Sequence, residues 1–274
     1  MLSTGGSYSF RVMTYNIRYD TVKDGKNQWS LRKNYLINLI RNRMPDLFGV
    51  QEALPNQIFD LQHALSAYRY YGVGKNDGKS KGEFSAIFYR FDRFDLLDSG
   101  TFWLSKTPKI PGSKGWDAAG TRTCTWVKLR DRYSLQIFYH FNTHFDSTGR
   151  TSRLESARLI LSQTRAIVGS STPIMLTGDF NASPHSDSYR TFITNTIFKD
   201  SKNVSEKSHC GPDSTFSTFI VGNPMGKQID HIFVTSQDFK VLQHGTLTDS
   251  NNGYYPSDHL PVLAEIMFKK IVSG

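Results

Sequence analysis

The chain predicts a mixed α/β fold with strands in several layers, and three observations carry that prediction. Short apolar runs rich in β-branched and aromatic residues end abruptly in polar ones, as buried strands do. These runs are FRVMTYNIRYD (10–20), DLFGVQEAL (46–54), LQIFYHFNTHFD (135–146), PIMLTGDFNA (173–182) and QIDHIFVT (228–235). Helical periodicities lie between several of them. No fixed-period repeat, low-complexity tract or composition break marks a linker, so residues 1–274 are expected to form one domain.

The elements follow in order. After a first strand within 10–20, SLRKNYLINLIRNRM sets Leu31, Tyr35, Leu39, Ile40 and Met44 at helical spacing behind Ser30 as N-cap. Beyond the strand in 46–54, Pro55 suits the first turn of a second helix running through Leu65. Residues 85–127 alternate short apolar and polar pieces around PKIPGSKGWDAAG (108–120), a long loop of the kind that carries function. A third helix is expected over 151–168, because Ser152 and Glu155 have capping-box spacing and Leu154, Ala157, Leu161 and Val168 share a face. It leads directly into PIMLTGDFNA.

Composition narrows the class. With 38% hydrophobic residues the chain can bury a substantial core. Lys and Arg number 33 against 24 Asp and Glu, and the resulting +9 favours polyanionic partners such as nucleic acid. The competing reading is an ordinary solvated surface, since the basic residues are spread through stretches such as RNR (41–43) and KNDGKSKGE (75–83). No run approaches the roughly 18 apolar residues of a membrane helix, and MLSTGGSYSF lacks the apolar core of a secretory signal. A soluble, intracellular monomer of cytoplasm or nucleus, without a membrane partner, is expected. Cys124 and Cys210 form neither a disulfide framework nor a metal-ligand spacing and are read as reduced structural thiols.

The informative pattern is where polar residues fall. Asn16, Glu52, His144, Asp179 with Asn181, Asp230, and Asp258 with His259 each sit at or just beyond the end of an apolar run. Singly they have ordinary readings as turn amides, strand-end charges or a buried histidine. Together they supply oxygen ligands, hydrogen-bond donors and an Asp-His pair, the parts that hydrolysis of a phosphate ester requires. A hard divalent ion, Mg²⁺ or Mn²⁺, takes such oxygen ligands, and a carboxylate can take a proton from water. If strand geometry persists through 179–181, Asp179 and Asn181 project to one side and Phe180 into packing. In PSDHLPV, Asp258 and His259 would diverge unless a turn at Pro256 and Pro261 brings them together. Arg122 in GTRTCTWVKL suits bidentate phosphate contact, against the alternative of an exposed strand-edge residue. Trp29 and Arg32 are placed near the pocket rim, with core packing the alternative for Trp29. Tyr254 and Tyr255 are candidates for stacking on bases, or simply core.

TYNIR, VQEA, NTHFD, GDFNASP, QIDHIFV and SDHLPV, in that order from 14 to 262, resemble the endonuclease/exonuclease/phosphatase (DNase I-like) superfamily. Its members include DNase I-like nucleases, abasic-site endonucleases, CCR4-type deadenylases, tyrosyl-DNA phosphodiesterase 2 and inositol polyphosphate 5-phosphatases, and in motif style the chain is nearest to the deadenylase-like group. The resemblance implies a four-layered α/β sandwich of two packed mixed β-sheets flanked by helices, with the site at one edge of the sheets. It implies a Mg²⁺-dependent phosphoesterase in which Glu52 is the principal metal ligand and Asn16 a ligand or phosphate contact. His144 and Asn181 hold phosphate, Asp179 orients or deprotonates water, Asp230 and Asp258 are the later carboxylates and further metal ligands, and Asp258 pairs with His259, which contacts phosphate or acts as the histidine of the pair. Phosphodiester bonds of RNA or DNA are the expected substrate. The alternatives are a phosphatase for a small phosphorylated molecule (sugar phosphate, nucleotide or inositol phosphate) and a catalytically silent binding protein.

Overall fold

The computed structural model describes residues 8–169, 172–194, 196–222, 226 and 228–269; residues 1–7 of the opening segment lie outside them. Within that range the chain runs β1 (Phe10–Asn16), a 3₁₀ turn (Val22–Asn27), α1 (Trp29–Arg43), β2 (Leu47–Gln51), α2 (Pro55–Ala64), β3 (Tyr68–Tyr71), β4 (Ile87–Arg90), β5 (Phe94–Trp103) and β6 (Thr123–Asp131). It continues through β7 (Ile137–His144), α3 (Arg150–Val168), β8 (Ile174–Asp179), α4 (Asp187–Ile193), β9 (Phe198–Asp200), β10 (Asp230–Thr235), β11 (Phe239–Thr246) and β12 (Val262–Phe268).

The strands form two six-stranded sheets, ordered β11-β12-β1-β2-β4-β3 and β5-β6-β7-β8-β10-β9. Each is mixed: β1 pairs parallel with β2 and β7 with β8, and the other pairings are antiparallel. Side-chain alternation sorts the strand residues into three cores. Val12, Leu47, Phe138, Met175 and Ile232 pack between the sheets. Met13, Tyr15, Phe48 and Val50 face Leu36, Ile40, Ile58 and Leu61 of α1 and α2. Phe141, Leu176 and Phe233 face Ala157, Ile160, Tyr189 and Phe192 of α3 and α4. The result is the expected four-layered DNase I-like sandwich.

Two helix readings are corrected. The N-cap of α1 is Gln28, and Ser30 lies inside the first turn. Its buried stripe is Trp29, Arg32, Leu36, Ile37, Leu39 and Ile40, whereas Leu31, Tyr35 and Met44 are exposed. The Trp29-Arg32-Leu36-Leu39 phase wins because it meets the sheet and Arg32 finds partners beneath it. In α3, Ser152 forms no capping box; its hydroxyl is buried without a partner. Asp117 from the long loop caps the helix instead, accepting from Thr151 N (3.1 Å) and Ser152 N (2.6 Å). Both thiols are free, but Cys210 is exposed and only Cys124 is buried. No helix among the described residues is long and apolar enough to cross a membrane.

Candidate active site

Register brings the polar strand ends together. Asn16 is level with Gln51 across the parallel β1/β2 pair, so Glu52 stands next to Asn16. Across β7/β8, His144 is level with Asp179, and Asp179 is in turn opposite Asp230 of antiparallel β10. The four parallel strands therefore deliver their C-terminal ends to one edge of the sandwich. There a cleft of about 390 Å³ is lined by Arg18, Glu52, Arg122, His144, Asp179, Asn181, Asp258 and His259, with Tyr19, Glu83, Ser147 and Phe216.

Asn16 ties the sheets at this edge. Its Nδ2 donates to Glu52 Oε1 (3.1 Å) on one sheet and to Asp179 Oδ2 (2.9 Å) on the other. Its own oxygen accepts from Arg18 N, and Tyr19 N donates to Glu52 Oε2. Glu52 has a left-handed backbone (φ 62°), unusual for a residue of this kind, which turns its carboxylate off the end of β2 into the cleft. Burial, reinforced by Asp258, raises its pKa.

The expected alternation at 179–181 does not hold. β8 stops at Asp179 and Asn181 is left-handed (φ 46°). Asn181 reaches the cleft through a turn in which its N–H donates to Asp179 Oδ1 (2.9 Å) and its Nδ2 to Phe145 O (3.0 Å). Phe180 does point into packing, against Phe145, Phe192 and Phe233.

His259 is paired differently from the expectation. Its Nδ1 donates to Asp230 Oδ2 (2.9 Å), and its Nε2 lies 3.7 Å from Asp179 Oδ2. Asp258 turns the other way, toward Arg18 Nε at 3.9 Å. The neighbours diverge because the Ser257 hydroxyl, held on Asn16 O, aims His259 inward while Asp258 stays at the rim. Burial opposes a charged His259, but Asp230 and Asp179 outweigh it and raise its pKa well above the usual value. Burial and the neighbouring Asp230 raise Asp179, although His259 and Asn16 pull it back. His144, 3.5 Å from Asp179, is kept neutral by burial and by Arg122.

Arg122 reaches the cleft. Its Nη1 lies 3.0 Å from His144 Nδ1, and its Nε lies 3.4 Å from Asp146. Arg32 and Trp29 do not line it. Arg32 is buried beneath, donating to the carbonyls of Ile17, Arg18 and Pro256, and so props the two loops that carry Arg18 and Asp258. Trp29 packs in the core with its Nε1 on Asp60. Tyr254 lines a separate groove with Lys26 and Tyr35, and Tyr255 is buried beside it.

Five lining residues escaped the sequence reading. Arg18, Tyr19 and Ser147 directly follow the strand ends that carry Asn16 and His144, which is a usable signal. Glu83 and Phe216 come from irregular loops that have none.

The donors suit a hard cation. Glu52, Asp258 and Asn16 offer oxygen, ligand atoms of Asp179, Asp230 and His259 lie within 4.8 Å of one another, and Asp230 Oδ1 is buried without a partner.

The model of the endonuclease/exonuclease/phosphatase family matches residues 13–259. The solved structure of a family protein from Bacteroides thetaiotaomicron is 36% identical with a TM-score of 0.92, covering 97% of this chain and 100% of that one. A mannosyl-6-phosphatase from the same organism is 37% identical with a TM-score of 0.88, covering 94% and 100%. Nocturnin from Xenopus laevis is 25% identical over 96% of this chain and 73% of its own length. The chain spans between 28% and 78% of the length of the curated relatives it matches. Its sandwich, its site at the strand ends and this match agree: the chain belongs to the endonuclease/exonuclease/phosphatase family and is a phosphoesterase hydrolase.

Proposed function

We propose that the enzyme is a Mg²⁺-dependent phosphatase acting on a small phosphorylated molecule, a sugar phosphate in the first place, rather than on an extended nucleic acid. The observation that carries this reading is the charge pairing in and beside the cleft. Arg18 is held by Asp24 at 3.0 Å, Arg122 by Asp146 at 3.4 Å, and Lys75 by Glu83 at 2.9 Å. Four carboxylates, on Glu52, Glu83, Asp179 and Asp258, face two guanidinium groups in the lining. A nucleic-acid strand needs a run of unpaired basic groups along its backbone, whereas one phosphate needs a single neutralised spot. The mannosyl-6-phosphatase similarity supports the same reading. The net charge of +9 and the nocturnin similarity favour the nuclease reading.

In this reading Glu52, Asn16 and Asp258 hold the cation, which when bound neutralises charge on the phosphoryl oxygens. His144, Arg122 and Asn181 hold the phosphate. Asp179, fixed by Asn16 Nδ2 and Asn181 N, takes the proton of the attacking water; its raised pKa makes it a stronger base than an ordinary carboxylate. Protonated His259, oriented by Asp230, stabilises charge as it builds on the phosphoryl group.

The test is Mg²⁺-dependent turnover of hexose 6-phosphates, including mannose 6-phosphate, beside labelled single-stranded RNA and DNA. Release of inorganic phosphate from a sugar phosphate with kcat/KM at least about tenfold above strand cleavage is expected. Strand cleavage that is faster, and falls steeply with salt, would replace this reading with the nuclease one.

A further inference from the structure

One step below the catalytic residues, the facing sides of the two sheets carry a polar layer. Reading toward the site, the inner face of β7 runs Phe138, His140, Asn142, His144; that of β8 runs Met175, Thr177, Asp179; that of β1 runs Val12, Thr14, Asn16. Thr14, Gln51, His140, Asn142 and Thr177 are all fully buried. Asn142 is at the centre and uses its whole hydrogen-bonding capacity. From β7 in one sheet, its Nδ2 donates across to Val50 O (2.9 Å) and Ala86 O (3.1 Å) of the other. Its Oδ1 accepts from Gln51 Nε2 (2.7 Å) of the opposite sheet and Thr177 Oγ1 (3.0 Å) of its own. Gly49 leaves the room: a Cβ there would stand 2.3 Å from Asn142 Oδ1.

We infer that Asn142 is a positioning residue for the phosphoesterase site: its carboxamide clamps the two sheets at the spacing at which Glu52 of one faces Asp179 and His144 of the other. At the site edge Asn16 makes a second polar tie, to Asp179, but the inter-sheet contacts below this layer, among them Phe10, Leu47, Ile87, Phe138 and Met175, are apolar and have no preferred direction, so they hold the sheets together without fixing their register across the gap. Stability alone does not call for a polar layer here, since apolar groups of matching shape are often as good. Placement does, because a misplacement of about 1 Å costs about 10²-fold in rate. Gln51 precedes Glu52 directly, and Asn142 and Thr177 lie two residues before His144 and Asp179, so the clamp reaches each of them through one or two residues of strand.

The test is Asn142→Leu beside Met175→Ala, a control in the apolar part of the same inter-sheet core, both assayed well below their Tm. For Asn142→Leu we expect the Mn²⁺ dissociation constant, measured by calorimetry, to rise roughly tenfold and kcat to fall roughly 10- to 100-fold, with KM changed little. The control keeps both within about twofold once compared at equal fraction folded. Asn142→Leu with Mn²⁺ affinity and kcat as close to wild type as the control overturns the inference. Should Asn142→Leu fail to fold, Thr177→Val decides, with Thr177→Ser expected to restore both values; equal behaviour of the two Thr177 variants overturns it. The metal readout rests on Glu52 as a ligand, so Glu52→Gln is titrated alongside. If that variant binds Mn²⁺ normally, the ligand assignment has failed, and kcat alone decides the role of Asn142.

Discussion

His259 and Asp230 share a buried hydrogen bond of 2.9 Å, Nδ1 to Oδ2, which fixes the ring so that its Nε2 faces Asp179. The pair keeps His259 charged although burial works against it. Asp230→Asn removes the counter-charge and leaves the burial, so the pKa of His259 falls. Its protonated form is then lost at lower pH. The alkaline limb of the kcat/KM profile should move to lower pH, and turnover near neutral pH should drop roughly 10²-fold. A profile with both limbs where the wild-type enzyme has them would remove Asp230 from this role.

Glu52 depends on Asn16 and on the backbone of Tyr19 for its orientation, and burial, with Asp258 beside it, raises its pKa. A divalent ion held there would stabilise its charged form. EDTA should abolish turnover and Mg²⁺ restore it, and Glu52→Gln should raise the Mg²⁺ concentration for half-maximal rate roughly 10- to 100-fold while the fold persists. The check is a metal titration with far-UV circular dichroism of the same samples.

Asn16, Glu52, His144 and Asp179 were legible because each ends an apolar run and the parallel pairs β1/β2 and β7/β8 bring such ends to one place, where Asp230 joins them by opening β10 antiparallel to β8. Partners set by tertiary packing were not. Nothing near Ser152 signals that Asp117, from the long loop, caps α3. Nothing in SDH says that His259 turns toward Asp230 while Asp258 turns toward Arg18, since adjacent residues diverge and the loop decides which faces inward. The same holds for Asn181, whose place in the cleft comes from a left-handed turn and not from strand alternation. In α1 two apolar phases overlap, and only contact with the sheet selects the Leu36 phase over the Leu31 and Tyr35 one.

Arg122 lies against both His144 and Asp146, its guanidinium plane held at the cleft wall. Arg122→Lys keeps the charge and loses the planar fork. KM for a phosphate ester should rise about tenfold, with a smaller change in kcat, because the ammonium cannot keep the contacts to Asp146 and His144 that orient the guanidinium toward a phosphate. Steady-state kinetics showing KM and kcat both unchanged would take Arg122 out of phosphate binding.

His140 and His244 bear on acid stability. Both are buried away from the cleft lining, and burial lowers each pKa to about 3 from the usual 6.5. For His244 the charge of Asp200 works the other way without overcoming burial. The unfolded chain binds a proton at each histidine below about pH 6.5 and the folded chain does not until about pH 3. Their contribution is therefore fully present above pH 6.5 and is lost as pH falls toward 3. Each histidine adds a slope of up to about 1.4 kcal/mol per pH unit to that loss. Urea unfolding at several pH values from 4 to 7 reads the slope directly. His140→Gln, which keeps a donor for Thr177, should be shallower than wild type by about one histidine's share. An unchanged slope would mean that His140 takes up its proton in the folded protein as readily as in the unfolded chain.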